Sequence, residues 1–578
     1  MNRQEFLWVY PEKNPALLQA IIHEFNIHPV TAQILLSRGY NTLEEAHNFL
    51  YAKLPNLYDP ELFPDMDKAV TRILQAIKQH EPILVYGDND VDGMTAAALL
   101  TEFLKTIGAK VFFSLPNRTN LKKNFIEHAL EVSLQHRCKL LITVDCGITA
   151  AKEIEELITH GIDVIITDHH EPTAKIPHCI ATLNPKLINS TYPNRELTGV
   201  GVAFKLAHAI TNTLIELEEI SPTKIDLKHY LDLVALGTIA DMGALKGENR
   251  ILVRYGIKQM KKLKRVGLAK LFQFCDLHPN EFTPSTISSK ITPKLNSLGR
   301  VADPIKGVEL LLAREHLAAE TLAHELDLSN IKRQRVEREA SEQIEEFIAK
   351  HPSILGNKAL VLYSDQWHPG IIAILSARIA KQYNRPTIVI SVNDRIGKGS
   401  LRTIPEFPLL NILKQQEHLL INFGGHDYAA GLTIAEENIE IFKEQFISAA
   451  ERVLQDQDIV PKIYLDAKID FNELTFDFME SLSLLEPFGN ENAPPLLYSD
   501  TNQLWPPKVV GGQHLKFFLE QADRALEGIG FGLGHRKHQI QRKNIPLRIA
   551  FTPHINMFLN KASIQLQIKD FQSLSSAE

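Results

Sequence analysis

The chain has 578 residues, of which 44% are hydrophobic and 23% are charged, and its formal net charge is −7 at pH 7. This composition is ordinary for a globular protein of roughly three to five domains. The negative charge argues against a continuous basic surface for duplex binding, although it leaves room for a local basic channel. The N-terminus lacks the apolar core of a signal peptide, and no apolar run is long enough to span a bilayer. The four cysteines form no C-x-x-C pair, so we expect a reducing, cytoplasmic environment.

The order of the predicted elements divides the chain into five segments. Residues 1–65 predict a small helical cap. Residues 66–300 alternate strand-like and helical patterns, which is typical of parallel βαβ units. Almost no Gly or Pro follows in the next segment, so residues 301–355 predict long helices. Residues 356–455 predict a second α/β lobe, and residues 456–578 have the short strands and Gly/Pro punctuation of a small barrel or sandwich. The predicted fold class is α/β, with two lobes joined by long helices and a C-terminal β-barrel.

Three alternating carboxylates follow the first predicted strand of the βαβ region. Residues 83–86 are apolar or aromatic, and Asp88, Asp90 and Asp92 come directly after them. The carboxyl end of a sheet strand is where open α/β sheets place their ligands. An EF-hand calcium loop has a similar opening, but Leu99 stands where that loop needs a Glu, and the preceding run is a strand. A solvated acidic turn is the other alternative that this motif alone leaves open.

Further acids and imidazoles follow later apolar runs. Asp145 follows one predicted strand, Asp168-His169-His170 follows the next, and Asp241 ends a further apolar run. Parallel strands with right-handed crossovers bring these ends to one edge of the sheet. Four carboxylates and one imidazole suit Mn²⁺ or Mg²⁺ better than a closed zinc site, and they are enough to bind two ions. The predicted metal ligands are Asp88, Asp90, Asp145, His169 and Asp241.

Two other segments carry weaker signals. Residues 197–206 contain a Gly-rich turn that opens a helix. It could present backbone N–H groups to an anion, and close helix packing is an equally good explanation. Residues 250–270 are rich in Lys and Arg, which we interpret as the solvated face of an amphipathic helix.

The ordered set of motifs resembles the DHH phosphoesterase superfamily, and most closely its bacterial single-stranded-DNA-specific exonucleases. The motifs are Asp88-x-Asp-x-Asp-Gly93, Val144-Asp-Cys-Gly147, Asp168-His-His170 and Gly237-Thr-Ile-Ala-Asp241, with Trp367-His-Pro-Gly370, Phe423-Gly-Gly-His426 and Leu485-Glu-Pro-Phe-Gly489 further on. The resemblance covers nearly the whole chain. It implies that residues 66–300 are a DHH catalytic domain, residues 356–455 an associated DHHA1 domain that handles phosphate, and residues 456–578 an OB fold that binds single strands.

The resemblance also implies roles for individual residues. The five predicted ligands would hold two metal ions, His170 would lie beside the scissile phosphate, and Asp168 would orient the histidines. Arg300 would reach the phosphate from a turn. Residues of the phosphate-handling site would hold the 5′ phosphate or face the cleft; they are Arg118, Ser400, Arg402 and His426. Candidate strand-binding residues of the OB fold are Phe517, Phe518, Phe531, Arg536, Lys537, Arg542 and Lys543, some of which belong equally well to a core or a solvated loop.

The expected function is therefore a 5′→3′ exonuclease that degrades single-stranded DNA to mononucleotides by two-metal hydrolysis, in DNA repair and recombination. A phosphodiesterase for short oligonucleotides or cyclic dinucleotides is an alternative with the same chemistry. An inactive replication scaffold is an alternative of another class, and it predicts eroded ligands. We expect a monomer that does not bind membranes, with a helicase and a single-strand-binding protein as candidate partners.

Overall fold

The fold is that of a computed structural model, which describes residues 6–12, 14–117, 125–540, 545–558 and 561–574. The chain forms two compact units. One consists of Met1–Lys53 together with Val460–Glu578, and the other is Leu54–Ile459. The first segment of the chain therefore packs with the last one. Among the described residues, none of the helices is both long and apolar enough to cross a bilayer.

The N-terminal segment is a short strand followed by three helices. These elements are β1 (Leu7–Val9), α1 (Pro15–Phe25), α2 (Pro29–Ser37) and α3 (Leu43–Tyr51). The start of α3 is fixed by a reciprocal capping box, which Thr42 and Glu45 form. Residues 54–65 pack with the second unit, and they contain two short 3₁₀ turns.

The first lobe of the second unit is built on a parallel sheet. Its first elements are α4 (Met66–Lys78), β2 (Ile83–Gly87), α5 (Val91–Thr106), β3 (Val111–Ser114), α6 (Phe125–Gln135), β4 (Leu140–Val144), α7 (Ala151–Thr159), β5 (Asp163–Thr167) and β6 (Ala181–Leu183). The strand order is β3-β2-β4-β5-β6, and every pairing is parallel. β2 and β4 are buried along their whole length, as their continuous apolar sequences require in a sheet covered on both faces. All five carboxyl ends consequently lie at one edge.

Seven helices complete this lobe. They are α8 (Gly199–Glu216), α9 (Leu231–Ala240), α10 (Gly247–Met260), α11 (Val266–Phe274), α12 (Pro284–Thr286), α13 (Thr292–Val301) and α14 (Ile305–Leu312). α5 is buried over most of its length and packs against α8 and α9 in the main core. The prediction of a turn at Arg300 was wrong, because this residue lies inside α13. Gly299, the residue before it, lies close to the loop after β2, since a Cβ there would meet the Asn89 carbonyl oxygen at 2.1 Å.

A single helix of 35 residues, α15 (His316–Lys350), connects the two lobes. The second lobe consists of β7 (Leu360–Ser364), α16 (Ile372–Tyr383), β8 (Thr387–Asn393), β9 (Ile396–Arg402), α17 (Leu409–Gln415), β10 (Leu420–His426), β11 (Ala429–Ala435) and α18 (Ile439–Val453). Its sheet has the order β10-β11-β9-β8-β7, and only β7 and β8 are parallel. The motif Phe423-Gly-Gly-His426 forms the end of β10 and pairs with β11.

The last region is a closed β-barrel, which confirms the first of the two folds that the sequence predicts, and it also contains a helix. Its elements are β12 (Lys462–Tyr464), β13 (Ala467–Lys468), α19 (Phe476–Ser483), β14 (Leu497–Gln503), β15 (Lys508–Val510), β16 (His514–Gln521), β17 (Arg524–Gly530), β18 (Ile545–Phe558) and β19 (Lys561–Ser573). The strand order is β13-β14-β18-β19-β17-β16-β15, and an additional pairing between β14 and β16 closes the sheet. Closure removes most exposed sheet edges.

Candidate active site

The predicted metal ligands meet at the carboxyl edge of the parallel sheet. Three overlapping groups form there, and within each group one ligand atom per residue lies within 4.8 Å of the others. The groups are Asp88, Asp90 and Asp145; Asp145, His169 and His170; and Asp92, His169 and Asp241. They share Asp145 and His169, so the whole set is one continuous cluster. All five predicted ligands belong to it, together with Asp92 and His170.

Different elements deliver these side chains. Asp88 follows β2, Asp145 follows β4 and His169 follows β5, whereas Asp241 caps the carboxyl end of helix α9 rather than a strand. Asp145 has a φ of 60°. This left-handed conformation is uncommon for a residue other than glycine, and strain of this kind concentrates at functional sites.

Two buried ligand atoms at the centre of the cluster are not hydrogen bonded. Oδ1 of Asp145 and Nε2 of His169 are 3.0 Å apart, and neither has a hydrogen-bond partner among the described residues. Nε2 of His169 also lies 3.7 Å from Oδ2 of Asp241 and 3.8 Å from Oδ2 of Asp92. Buried polar atoms are nearly always satisfied, so these atoms require a partner such as a cation. Carboxylate oxygens with one imidazole nitrogen form a donor set that suits Mn²⁺ or Mg²⁺.

The pKa values of the clustered residues also indicate a site for a cation. Burial, and then the charges of Asp92 and Asp90, raise the pKa of Asp145 well above its ordinary value. Burial, and then the charges of the same two residues, also raise the pKa of Asp241. Burial, followed by the charge of His170, lowers the pKa of His169 to about 3. Its imidazole is therefore neutral and can offer a nitrogen lone pair to a metal.

Asp92 links the acidic loop to the Gly-rich helix start. Its carboxylate accepts hydrogen bonds from the backbone N–H groups of Gly199, at 2.7 Å, and Val200, at 3.0 Å. The anion that this helix start binds is therefore Asp92 itself. Burial and the charge of Asp90 raise the pKa of Asp92 to about 7, although these two hydrogen bonds oppose the rise. A Cβ on Gly199 would meet the Asp145 side chain at 2.5 Å, so both suggested roles of the turn, anion binding and close packing, apply here.

Asp90 also has a structural contact. Its Oδ1 accepts hydrogen bonds from the N–H groups of Asp92 and Gly93, which makes it the N-cap of α5. Such a cap fixes the carboxylate at the start of the helix. The loop between β2 and α5 is correspondingly tight, since a Cβ on Gly93 would meet the Asp88 carbonyl oxygen at 2.3 Å.

Asp168 holds His170 directly and His169 through the backbone. Its Oδ1 lies 2.7 Å from Nδ1 of His170 and also accepts the backbone N–H groups of both histidines. Its Oδ2 accepts the N–H of Ile148. Burial lowers the pKa of His170, but the hydrogen bond and charge of Asp168 outweigh it and raise this pKa to about 9. A protonated His170 beside the metal cluster is suited to face an anion.

Arg300 and the second lobe contact each other at the Trp367-His-Pro-Gly370 turn. Nη1 of Arg300 donates to the carbonyl oxygen of Gly370 at 2.9 Å. A Cβ on Gly370 would meet the Arg300 carbonyl oxygen at 2.5 Å. The two lobes therefore pack tightly at this arginine.

The predicted phosphate-binding residues of the second lobe lie on two strands. Ser400 and Arg402 are on β9, and Nη1 of Arg402 donates to the Ser400 hydroxyl at 3.5 Å and to the Leu401 carbonyl at 2.8 Å. Burial lowers the pKa of Arg402, and a half-buried cation held by neutral oxygens is suited to receive an anion. His426 ends β10; burial, and then the charges of Lys186 and His170, lower its pKa. Arg118 lies outside the described residues.

The aromatic and basic candidates of the barrel separate into two classes. Phe517 is fully buried, and Arg536 pairs with Asp570 and lies over the Phe571 ring, so these two candidates have structural roles. Phe518 and Phe531 are at least partly exposed, with Lys508 and Lys516 over the Phe518 ring. Lys537 is exposed. Arg542 and Lys543 lie outside the described residues.

Asn184 is a site residue that sequence reasoning missed. This fully buried residue follows β6, and its side-chain amide donates to the His170 carbonyl at 2.9 Å. β6 has only three residues, which is too short for a pattern of alternating or continuous apolar positions to identify. The Asn-Pro dipeptide after an apolar run was the available signal.

Comparison with known families finds three domains. The DHH family, N-terminal domain, matches residues 82–238, the DHHA1 domain matches residues 356–455, and the RecJ OB domain matches residues 465–570. The matches lie within the three corresponding predicted segments, whereas the exact boundaries of the five segments stay predictions.

Similar proteins cover almost the whole chain. The single-stranded-DNA-specific exonuclease RecJ of Bacillus subtilis is 32% identical over 577 residues, which are 99% of this chain and 71% of that protein. RecJ of Haemophilus influenzae is 31% identical over 561 residues, 94% of this chain and 96% of that protein. The crystal structure of RecJ in complex with Mn²⁺ from Thermus thermophilus is 26% identical and superposes with a TM-score of 0.83, covering 100% of this chain and 81% of that one. Together with the clustered DHH residues, these matches show that the chain belongs to the RecJ family of the DHH superfamily.

Proposed function

We propose that this chain is a metal-dependent exonuclease that degrades single-stranded DNA in the 5′→3′ direction to mononucleotides. The observation that carries the proposal is the buried pair of Asp145 Oδ1 and His169 Nε2, 3.0 Å apart and without hydrogen-bond partners among the described residues. The relatives in Bacillus subtilis and Haemophilus influenzae are named single-stranded-DNA-specific exonucleases, which supports the substrate and the reaction type. Crystal structures of RecJ from Thermus thermophilus with Mn²⁺ and with Mg²⁺ support either ion as the cofactor.

The overlapping groups indicate how two ions would be held. Asp88, Asp90 and Asp145 would hold one ion. Asp145, His169 and Asp241 would hold the other, because carboxylate oxygens of Asp145 and Asp241 lie 3.0 and 3.7 Å from Nε2 of His169. When bound, such ions lower the pKa of an attacking water and offset the negative charge that develops on the phosphate. Each of the two carboxylate oxygens of Asp92 already accepts a backbone hydrogen bond from α8, so we assign this residue to positioning the loop rather than to binding an ion.

Residues of the chain supply the remaining chemistry. His170, held through Nδ1 by Asp168, would donate a hydrogen bond from its other ring nitrogen to a phosphate oxygen. Arg300 is oriented by its bond to Gly370, and its guanidinium group would contact the same phosphate. These two cations would stabilise the charge added in the transition state.

The direction of degradation would depend on where the 5′ end is held. Ser400 and Arg402 lie two positions apart on β9, and their side chains contact each other. Together with Arg118 they would bind the terminal phosphate. A site that binds the 5′ phosphate at a fixed distance from the cleavage centre releases one nucleotide in each cycle. Bases of the strand would stack on partly exposed aromatic residues of the RecJ OB domain.

The match to the RecJ OB domain at residues 465–570 favours long strands over dinucleotides. A phosphodiesterase of short oligonucleotides has no evident use for a separate single-strand-binding domain. The retained ligand set argues against an inactive scaffold. Comparing turnover of a dinucleotide with that of a long 5′-labelled strand separates the first alternative from the proposed activity.

We further propose that the chain acts in the cytoplasm as a monomer in DNA repair and recombination, and that a helicase and a single-strand-binding protein are its partners. The four free cysteines fit a reducing compartment. A helicase would supply the single strands that the proposed activity consumes. Co-purification of either protein with the tagged chain from nuclease-treated lysate tests this proposal.

The test of the activity is Asp145→Ala. We expect this variant to lose Mn²⁺-dependent digestion of 5′-labelled single-stranded DNA by at least about a thousandfold, because the shared ligand is removed. Calorimetric titration should also show weaker Mn²⁺ binding. Glu219→Gln, which changes an exposed carboxylate of the same lobe, serves as the control and should keep full activity. Digestion at the wild-type rate by Asp145→Ala would refute the site.

A further inference from the structure

Lys186 lies at the same sheet edge as the metal cluster, after the fifth strand. β6 pairs in parallel with β5, so its carboxyl end lies beside His169 and His170. Asn184-Pro185-Lys186 follows it directly. The strand ends at β2 and β4 carry carboxylates, whereas this strand end carries a cation. A site that binds a phosphate between metal ions and protein needs positive charge on the protein side as well.

The backbone of Lys186 is tied to the catalytic histidine loop. The buried side chain of Asn184 donates to the carbonyl oxygen of His170 at 2.9 Å and accepts the N–H of Lys186 at 2.8 Å. Nη2 of Arg195 donates to the carbonyl oxygen of Lys186 at 2.9 Å. The two bonds of Asn184 thus fix the backbone of Lys186 relative to His170, and the third bond holds it from the other side, which is the kind of preorganisation that a binding residue requires.

The ammonium group of Lys186 forms an ion pair that a phosphate oxygen could replace at little cost in free energy. Only 14% of the Lys186 side chain is exposed, and its Nζ lies 3.3 Å from Oε1 of Glu171, whose side chain is 57% exposed. An ion pair with so exposed a carboxylate contributes little free energy. A phosphate oxygen could replace Glu171 without breaking any other contact of the ammonium group that the structure describes.

The charge of Lys186 also acts on the second lobe. After burial, it is the largest cause that lowers the pKa of His426, the residue that ends β10.

We infer that Lys186 binds a non-bridging phosphate oxygen of the DNA strand beside His170, and that Glu171 holds its ammonium group until the strand arrives. This inference rests on the proposed exonuclease function and adds a substrate-binding residue to it. Lys186 contributes to strand affinity and Glu171 does not.

The experiment compares Lys186→Met, Lys186→Arg and Glu171→Gln with the wild-type chain. Binding of a 5′-phosphorylated fluorescent oligothymidylate is measured by anisotropy in EDTA, at several salt concentrations. We expect Lys186→Met to bind roughly tenfold more weakly, with a salt dependence whose logarithmic slope is about 0.7 less steep, because one phosphate contact is lost. Lys186→Arg should stay close to wild type, and Glu171→Gln should bind equally well or more tightly.

Kinetics in Mn²⁺ provide a second readout. Lys186→Met should raise KM by about the same factor as it weakens binding, while kcat changes less than about threefold. Its affinity for Mn²⁺ in calorimetry should stay unchanged. If Lys186→Met does not fold, Lys186→Gln replaces it as the neutral variant.

Two results would overturn the inference. One is a neutral Lys186 variant that binds the strand with wild-type affinity and salt dependence. The other is a loss of affinity in Glu171→Gln as large as in Lys186→Met, because a purely structural ion pair predicts equal losses. The proposed function fails separately, if the wild-type chain does not digest single-stranded DNA in Mn²⁺.

Discussion

Asp88, Asp90 and Asp92 show how alternate carboxylates of one motif serve different purposes. Asp88 and Asp90 lie within one candidate metal group with Asp145. Asp90 also caps α5, and Asp92 caps α8 through two backbone N–H groups. Spacing alone presents the three residues as equivalent, since each is two positions from the next. The different roles of these aspartates depend on α8, whose start lies more than a hundred residues further along the chain.

The buried carboxylates of the metal cluster lower the free energy of unfolding of the catalytic lobe. Buried carboxylates with raised pKa values, such as Asp145 and Asp241, destabilise the fold until a cation offsets their charge. Binding energy from the ions therefore adds to the stability of the catalytic lobe.

A buried ion pair outside the metal cluster stabilises the fold, and this stabilisation should depend on pH. Glu102 lies 2.9 Å from Nη1 of Arg265, which also pairs with Asp232. Burial opposes ionisation of Glu102, but the hydrogen bonds and charges of His229 and Arg265 outweigh it and lower its pKa from 4.5 to about 2. The folded pKa is below the unfolded one, so the stabilisation is complete above pH 4.5 and is lost as the pH falls towards 2.

Glu102→Gln should therefore destabilise the protein at pH 7, by about 3 kcal/mol for a pKa difference of this size. The difference from wild type should fall to less than half of that value at pH 3. Urea unfolding at both pH values measures it. Glu320→Gln, which removes a surface pair with Lys270, is the control and should have a much smaller effect. A loss in Glu102→Gln that does not vary with pH would contradict the assignment.

At the scale of elements, the start of α8 organises the active site. Its first N–H groups bind Asp92, and its first residue, Gly199, lies against the side chain of Asp145. The helix thereby sets the positions of two carboxylates that follow different strands. A helix N-terminus is electrostatically suited to this role, because its N–H groups carry partial positive charge.

Gly199→Ala should disrupt the cluster. The new Cβ would meet the Asp145 side chain at 2.5 Å, so Asp145 must move. We expect Mn²⁺ affinity and exonuclease activity to fall by at least about tenfold, because misplacing a ligand by an ångström is costly. Calorimetry and the digestion assay measure these two effects.

Gly356→Ala is the matched control, since nothing lies within 4 Å of a Cβ at that position. Helix propensity alone predicts that alanine stabilises a helical position. A Gly199→Ala variant with unchanged Mn²⁺ affinity would therefore show that the close approach is not required.

At the scale of the whole molecule, the first and last segments of the chain fold together. β1 pairs in parallel with β12, and Arg38, the residue after α2, pairs with Asp466 before β13. The core of this unit combines residues of the first three helices with residues of the barrel. The N-terminal helices are therefore part of the same unit as the OB domain.

Trp8 provides a test of this arrangement. Its Nε1 donates to Oδ2 of Asp570 at 2.7 Å in a buried contact. Trp8→Phe should lower the stability of this unit by about 1–2 kcal/mol, because a buried acceptor loses its donor. Thermal unfolding followed by limited proteolysis of the barrel measures the change. Trp505→Phe alters a tryptophan that is 54% exposed and should leave stability nearly unchanged; equal effects in both variants would contradict the prediction.

The sequence by itself determined the parallel sheet, the second α/β lobe, the barrel and the gathering of acids and histidines at the sheet edge. Apolar periodicity and strand-end acids are local signals, and the topology of parallel strands brings those ends together. Only the tertiary structure decided that Asp92 caps α8, that Arg300 lies in a helix against Gly370, and that Asn184 and Lys186 adjoin the histidines. These features depend on contacts between segments far apart in the chain, and such contacts leave no periodic pattern in the sequence.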